Sequence, residues 1–182
     1  MSRLFDFEKW KKDEPQYIYS TLAFMCFNPS IGRALNKGSV KKFTELALKR
    51  IKNIGKIKSQ NGFDKFHDNF VKAVRDECKA SYGQAQKPVN VFLKVLVDWA
   101  NRPSHKVAKK VRPFLHVPLD SRLITCIKKK IPCFRNKSCQ SKLKEIDKKQ
   151  YKKWQQYFHR LYPQKPILCD ILWWYDKERE NS

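Results

Sequence analysis

Two side chains in the middle of the chain, Lys87 and Asp120, have the types and the setting for chemistry. Lys87 directly precedes Pro88, and a proline in the first turn marks a helix start. A lysine amine is charged at neutral pH and is then a poor nucleophile. The partial positive charge of a helix N-terminus disfavours a second positive charge there, and burial works in the same direction. The position therefore suits a nucleophilic amine. It suits equally a lysine that grips phosphate, which is drawn to the same dipole. In a chain this rich in lysine it also suits a plain surface cation. Asp120 follows His116-Val117-Pro118-Leu119 and precedes another helix. It is either a carboxylate held as the anion by that helix or a simple N-cap.

Charge narrows the class of partner. The 182 residues carry 40 Lys and Arg against 17 Asp and Glu, a formal net charge of +23 spread over the whole length. Hydrophobic residues make up 41% and aromatics 13%, enough for a packed core and too many for a disordered basic tail. A folded, strongly basic domain points to a polyanion, above all nucleic acid. Residues 1–182 read as a single domain. The opening Ser2-Arg3-Leu4-Phe5-Asp6 turns charged at once, and the longest apolar runs are too short to span a bilayer. The expectation is a soluble, intracellular and cytoplasmic protein, associated with nucleic acid, that needs no membrane, with its six cysteines reduced. Cys126, Cys133 and Cys139 are close enough to raise a metal cluster, but no CxxC is present and Cys169 is distant. No metal and no organic cofactor is expected.

The elements that must position Lys87 and Asp120 read as helices throughout. Asp13-Glu14-Pro15 opens a helix through Tyr17, Ile18, Leu22, Ala23 and Met25, which Asn28-Pro29 ends. Ser39 is a candidate N-cap for a helix carrying Phe43, Leu46, Ala47, Leu48 and Ile51, stopped by Gly55. Ser59-Gln60-Asn61-Gly62 reads as a turn before a helix bearing Phe63, Phe66, Phe70, Val71, Val74 and Cys78. Ser81 to Gln86 reads as a hairpin, followed by a helix Pro88–Ala100 with Val89, Phe92, Leu93, Leu96, Val97 and Ala100 as its apolar stripe. Beyond Pro103 lies a basic connector, then a helix over Leu119–Lys129 and a basic loop over Arg135–Lys142. Asp147 caps a helix with Tyr151, Trp154, Phe158 and Leu161, and a last helix covers Ile167–Lys177. No segment alternates with a two-residue period. The reading is all-α, about eight helices with short connections.

The stretch from Gly83 to Asp120 resembles the core of the helix-hairpin-helix DNA glycosylases, and is nearest to the archaeal 8-oxoguanine DNA glycosylases. Gln86-Lys87 and the helix Val91-Phe92-Leu93-Lys94-Val95-Leu96-Val97 resemble the hairpin end and the helix opened by the catalytic lysine. Val117-Pro118-Leu119-Asp120-Ser121-Arg122 resembles the P-x-D motif of the catalytic aspartate. Asp170 and Trp174 match an Asp-x-x-x-Trp that lines the family's base pocket, and i, i+4 spacing puts them on one helix face; read without the resemblance, they are equally an N-cap after Pro166 and a core tryptophan. The sequence departs from the family in its hairpin, which has one glycine, Gly83, where most members have L-P-G-x-G.

The resemblance implies an all-α fold of two packed helical subdomains around a helix-hairpin-helix motif, with the hairpin and catalytic helix over about 81–101 and the aspartate loop at 116–121. It implies a monomer acting on double-stranded DNA that contains a damaged base. Lys87 would attack the sugar C1′ and Asp120 would stabilise the positive charge that develops there. The flipped base, 8-oxoguanine by the nearest likeness, would sit against Asp170 and Trp174, with Gln16, Tyr17 and Trp10 as further pocket candidates. Lys79, Gly83, Gln84, Gln86, Asn90, Lys94 and Arg122 would contact DNA. A lysine nucleophile leaves a Schiff base, so β-elimination and strand cleavage follow. Two alternatives stay open: a glycosylase for another modified base, for instance in foreign DNA, and a non-catalytic nucleic-acid-binding protein on the same fold.

Overall fold

The structure, a computed structural model, describes residues 7–31, 35, 38–130 and 142–171, with the side chains of 7–13, 28–31 and 130 left aside. Among these residues there is no strand, and the all-α reading holds. The described residues hold seven α-helices: α1 (Phe7–Ile31), α2 (Ser39–Ile51), α3 (Gln60–Cys78), α4 (Tyr82–Leu93), α5 (His105–Val111), α6 (Ser121–Lys130) and α7 (Lys148–Leu161). Short 3-10 turns lie at Ile54–Lys56, Arg112–Phe114, Leu143–Glu145 and Pro166–Ile171.

One phenylalanine from each of the first four helices builds the centre. Phe27 of α1 lies 4.8 Å from Phe43 of α2, ring centroid to centroid. Phe43 in turn meets Phe70 of α3 at 5.8 Å and Phe92 of α4 at 6.1 Å. All four rings are fully buried. Burying a side chain of this size stabilises by roughly 1.5–3 kcal/mol relative to leaving it in water, so this quartet contributes to holding α1–α4 together. The buried hydrophobic residues form one contiguous core from Ala23 to Cys169.

Several helix boundaries differ from the sequence reading, for local reasons. Helix α1 runs through both Pro15 and Pro29. Packing of Ala23, Cys26 and Phe27 against α2 and α4 outweighs the local proline signals. Gly38, with φ of 92°, caps α2 in the left-handed region, so Ser39 is its first residue and not its cap. Ser59 caps α3 by accepting from the Gly62 N–H at 3.2 Å, which turns the expected 59–62 turn into the first turn of the helix. The basic connector after Pro103 contains α5, capped by Ser104 through the Val107 N–H.

The largest correction concerns the hairpin. Ser81 Oγ accepts from the Gln84 N–H, and the Gln84 side chain accepts from the Ser81 N–H at 3.0 Å. This reciprocal capping box starts α4 at Tyr82. Residues 82–86 are therefore helical, and only Lys79, Ala80 and Ser81 connect α3 to α4, with Lys79 in the left-handed region at φ 54°. Lys87 is the sixth residue of α4 and Pro88 lies inside it. The N-terminal partial charge acts within the first turn, so the dipole argument for Lys87 does not apply.

Gly83 has a packing role. A Cβ there would stand 1.9 Å from the Leu143 carbonyl oxygen, and the Gly83 N–H donates to the Ile146 carbonyl at 3.1 Å. The segment before α7 crosses α4 at this point, and only a glycine lets the two backbones meet. Gly83→Ala is expected to lower stability by about 1–3 kcal/mol, the usual range for overpacking. Urea denaturation of both proteins measures this, and an unchanged midpoint would mean that the 142–147 segment yields freely.

Candidate functional site

Lys87 and Asp120 do converge. Lys87 Nζ lies 4.0 Å from Asp120 Oδ2, with 21% and 25% of the two side chains exposed. Asp120 divides its oxygens between two tasks. Oδ1 accepts from the Leu123 N–H at 2.9 Å and caps α6, while Oδ2 faces the lysine. The two expectations for Asp120, N-cap and reactive carboxylate, are thus compatible in one side chain.

The position of Asp120 is fixed by an extended run, Leu115 to Leu119, whose residues are all buried. Among the described residues its peptide groups have no strand beside them. Glutamine side chains take that place. Gln155 of α7 accepts from the Val117 N–H at 2.8 Å and donates to the Val117 carbonyl at 2.9 Å. Gln86 of α4 accepts from the Leu119 N–H at 3.3 Å and donates to the Leu119 carbonyl at 3.0 Å. Each carboxamide clasps one residue by both its N–H and its C=O, as a neighbouring strand would.

A buried relay continues from the clasps. Asn90 Nδ2 donates to Gln86 Oε1 and to the Tyr151 hydroxyl oxygen, with the Val117 carbonyl a longer, shared contact at 3.3 Å, and Asn90 Oδ1 accepts from His67 Nε2 at 2.8 Å. The Tyr151 O–H is then free to donate to His116 Nδ1 at 2.9 Å, and His116 Nε2–H donates to Asp64 at 3.1 Å. This assignment of protons follows from the network as a whole. Burial holds His67 well below the ordinary histidine value, so it is neutral. Burial alone would raise the Asp64 carboxyl, but hydrogen bonds from His116 and Gln60 outweigh it and hold it below the ordinary value. The relay ends at a cavity of about 400 Å³ lined by Asp64, His116, Lys152 and His159, among others. Burial pushes the His159 imidazole down to about 4.

A second ion pair sits beside the first. Lys94 Nζ contacts Asp170 Oδ2 at 2.5 Å, and the two side chains are 13% and 19% exposed. Burial raises the Asp170 carboxyl above its ordinary value although Lys94 pulls the other way. Asp120 and Lys87 also act on it, so the four charges form one neighbourhood. The 3-10 turn carrying Asp170 is held again at Lys165, whose Nζ meets Asp98 at 2.9 Å. Asp98 also binds Arg112 at 2.8 Å. Lys94 and Asp98 both belong to a π-helical turn, Lys94–Trp99, that continues α4.

The remaining expected site residues divide. Gln86 and Asn90 are buried structural donors that cannot reach a phosphate. Gly83 is buried with its amide spent on Ile146, which corrects its assignment as a DNA contact. Gln84 is occupied in the capping box. Lys79 and Arg122 are exposed, Lys79 on the α3–α4 turn and Arg122 in the first turn of α6. Gln16 is exposed on α1 beside Tyr17, itself 71% exposed, and among the described residues no hydrogen bond or ion pair joins Gln16 to the four charges. Trp174, Cys133, Cys139 and the Trp10 side chain lie outside what is described. Among the described residues no group of His, Cys, Asp and Glu has a metal-holding arrangement. Cys126 is buried in α6.

The sequence reading missed Trp99, 63% exposed with the Lys94 ammonium 4.8 Å from its ring centroid, and the two glutamine clasps. An exposed tryptophan closing an apolar stripe was a usable signal. The clasps had none, because Gln155 is 38 residues from its peptide.

No protein-family model, curated protein or solved structure matches this chain.

Gln86→Leu leaves the Leu119 N–H and C=O buried without partners. At about 1–3 kcal/mol for each unsatisfied group, the expected loss is roughly 2–5 kcal/mol in urea denaturation. A loss under half a kcal/mol would mean that Leu119 finds water or another partner. Acid should also weaken the fold. Between the ordinary 6.5 and about 4, His159 binds a proton more readily unfolded than folded, and His67 behaves likewise. Stability therefore falls as pH drops through that window. His159→Gln should flatten the fall, read as urea midpoints across the range, and an unaltered slope would remove His159 from the effect.

Proposed function

We propose that this chain is a DNA glycosylase with strand-cleaving lyase activity on a helix-hairpin-helix-type fold, acting as a monomer on a damaged base in duplex DNA, with 8-oxoguanine the first candidate. The observation that carries the reading is the approach of Lys87 to Asp120 at 4.0 Å, both largely buried, in a chain of net charge +23. Asp170 at the edge of the same charges supports it as a group that would accept from the N–H edge of a flipped base.

In this mechanism the basic surface binds duplex phosphates, with strong salt dependence. Asp120 Oδ2 takes a proton from the Lys87 ammonium. The freed amine attacks C1′, the N-glycosidic pair leaves with the base, and the base takes up the proton that Asp120 held, which restores the carboxylate. Asp120 stabilises the positive charge on the sugar. Opening of the sugar C1′–O bond gives a Schiff base between Lys87 and C1′. Loss of a C2′ proton then breaks the C3′–O bond and expels the 3′ phosphate.

Borohydride should reduce the Schiff base and trap the wild type on 8-oxoguanine duplex, and Lys87→Gln should abolish trapping. Lys94→Gln should retain it, because Lys94 is already engaged by Asp170. Asp120→Asn should slow base release by two orders of magnitude or more, in the range typical for loss of a positioned proton acceptor, roughly 10²–10⁴. Absence of trapping across a panel of lesion-bearing duplexes would sink the enzyme reading.

A second reading has its own observation. The Asp120 N-cap and the Lys87 ion pair account for both residues as structural groups. The chain would then be a non-catalytic nucleic-acid binder, and Lys87→Gln would weaken binding evenly across sequences with no chemistry lost. A glycosylase for another modified base differs only in which duplex of the panel traps.

A further inference from the structure

We propose that Trp99, backed by Lys94, is a stacking platform for one unpaired nucleobase of the bound nucleic acid. The inference rests on the nucleic-acid part of the functional reading and not on the lysine chemistry. Trp154 is 1% exposed and shows that this fold can bury a tryptophan, yet Trp99 is left 63% exposed at the end of a helix whose preceding Leu96 and Val97 are fully buried. Its presentation is built by the backbone. In an α-helix, residues five apart point in different directions. The π-turn over Lys94–Trp99, closed by the Ala100 N–H to Val95 carbonyl bond at 2.9 Å, brings residues five apart onto one face. The Lys94 ammonium therefore lies 4.8 Å from the Trp99 ring centroid. That ammonium is itself held by Asp170, so one face of the indole is anchored through an ion pair to the 3-10 turn.

The surroundings select the occupant. The acidic groups on this side are spent. Asp170 binds Lys94, and Asp98, 5% exposed at its side chain, binds Arg112 and Lys165. The chain leaving Trp99 carries Arg102, His105, Lys106, Lys109 and Lys110, of which the last four are exposed on α5. An exposed ring beside a basic stripe fits a base with its phosphates, since any base offers a π-face and the cations take the backbone. A fully paired duplex offers no free base face there. The platform therefore discriminates for an unpaired nucleotide, either one extruded from a duplex or one in a single strand.

Binding of the full chain to three fluorescein-labelled oligonucleotides tests this: a fully paired duplex, the same duplex with one looped-out thymidine, and the single strand. Trp99→Ala is expected to weaken binding to the last two by about tenfold, the loss of one base–aromatic stack, and to leave the paired duplex within about twofold. Trp99→Phe should restore most of the loss. The salt slope should not change, because no phosphate contact is removed. Equal binding by Trp99→Ala and wild type to all three probes would overturn the platform, as would an equal loss on all three. Repeating the series in Lys87→Gln separates the two proposals. Selective loss without any borohydride trapping in the wild type leaves the platform standing and the glycosylase reading fallen. Trapping that occurs while Trp99→Ala binds normally does the reverse.

Discussion

The extended run Leu115–Leu119 is buried among helices, with no strand beside it among the described residues, and the site depends on how its peptides are satisfied. A buried peptide group without a partner costs as much as several apolar contacts return. Gln86 and Gln155 meet that demand by each holding one residue at its N–H and C=O together. The clasp does more than satisfy the run. It fixes which residue emerges at its end, and that residue is Asp120. A shift of one residue would break both clasps at once, so the register of the loop against α4 is defined by the same hydrogen bonds that stabilise it.

Helix α4 is shared by every part of the molecule that matters to the site. One face gives Phe92 to the phenylalanine quartet with α1, α2 and α3. Another gives Gln86 and Asn90 to the buried relay with α3, the extended run and α7. A third, less buried, presents Lys87 and, through the π-turn, Lys94 and Trp99. Rigid packing on two faces is what allows the third to hold two lysines opposite two carboxylates at defined distances. Ion pairs this close to the surface contribute little stability on their own. Their significance lies in position: charges that are three-quarters or more buried, beside an exposed aromatic ring, in a protein with a large cationic excess.

The sequence made the pairing of Lys87 with Asp120 legible but for a partly mistaken reason. Lys87 was placed at a helix start by the proline that follows it. The capping box of Ser81 and Gln84 starts α4 earlier, so Pro88 is an interior residue and the lysine acquires its setting from burial and from Asp120. The Asp120 N-cap was read correctly, because an aspartate before a helical run is a local signal. The apolar stripe of α4 was also read correctly from Val89 to Val97, and fails only at Ala100, which is exposed past the π-turn. The resemblance assigns Gly83, Gln86 and Asn90 to DNA, through a hairpin and the helix face that follows Lys87. Their true partners, Ile146, Leu119 and Tyr151, are 33 or more residues away in the chain.

By itself, then, the sequence determined what is local or additive. Helical periodicity specified an all-α chain, and composition specified a packed core. It also marked the lysine, the aspartate and Asp170 as groups apart from the core stripes. Only the tertiary structure decided what depends on segments distant in the chain. It joined the two ion pairs into one cluster, clasped the extended run with glutamines, crossed two backbones at Gly83, and turned Trp99 outward over Lys94. The physical reason is that each of these is set by the geometry of packing between helices. A carboxamide, a glycine or a tryptophan carries no mark in sequence of the partner that the fold will bring to it.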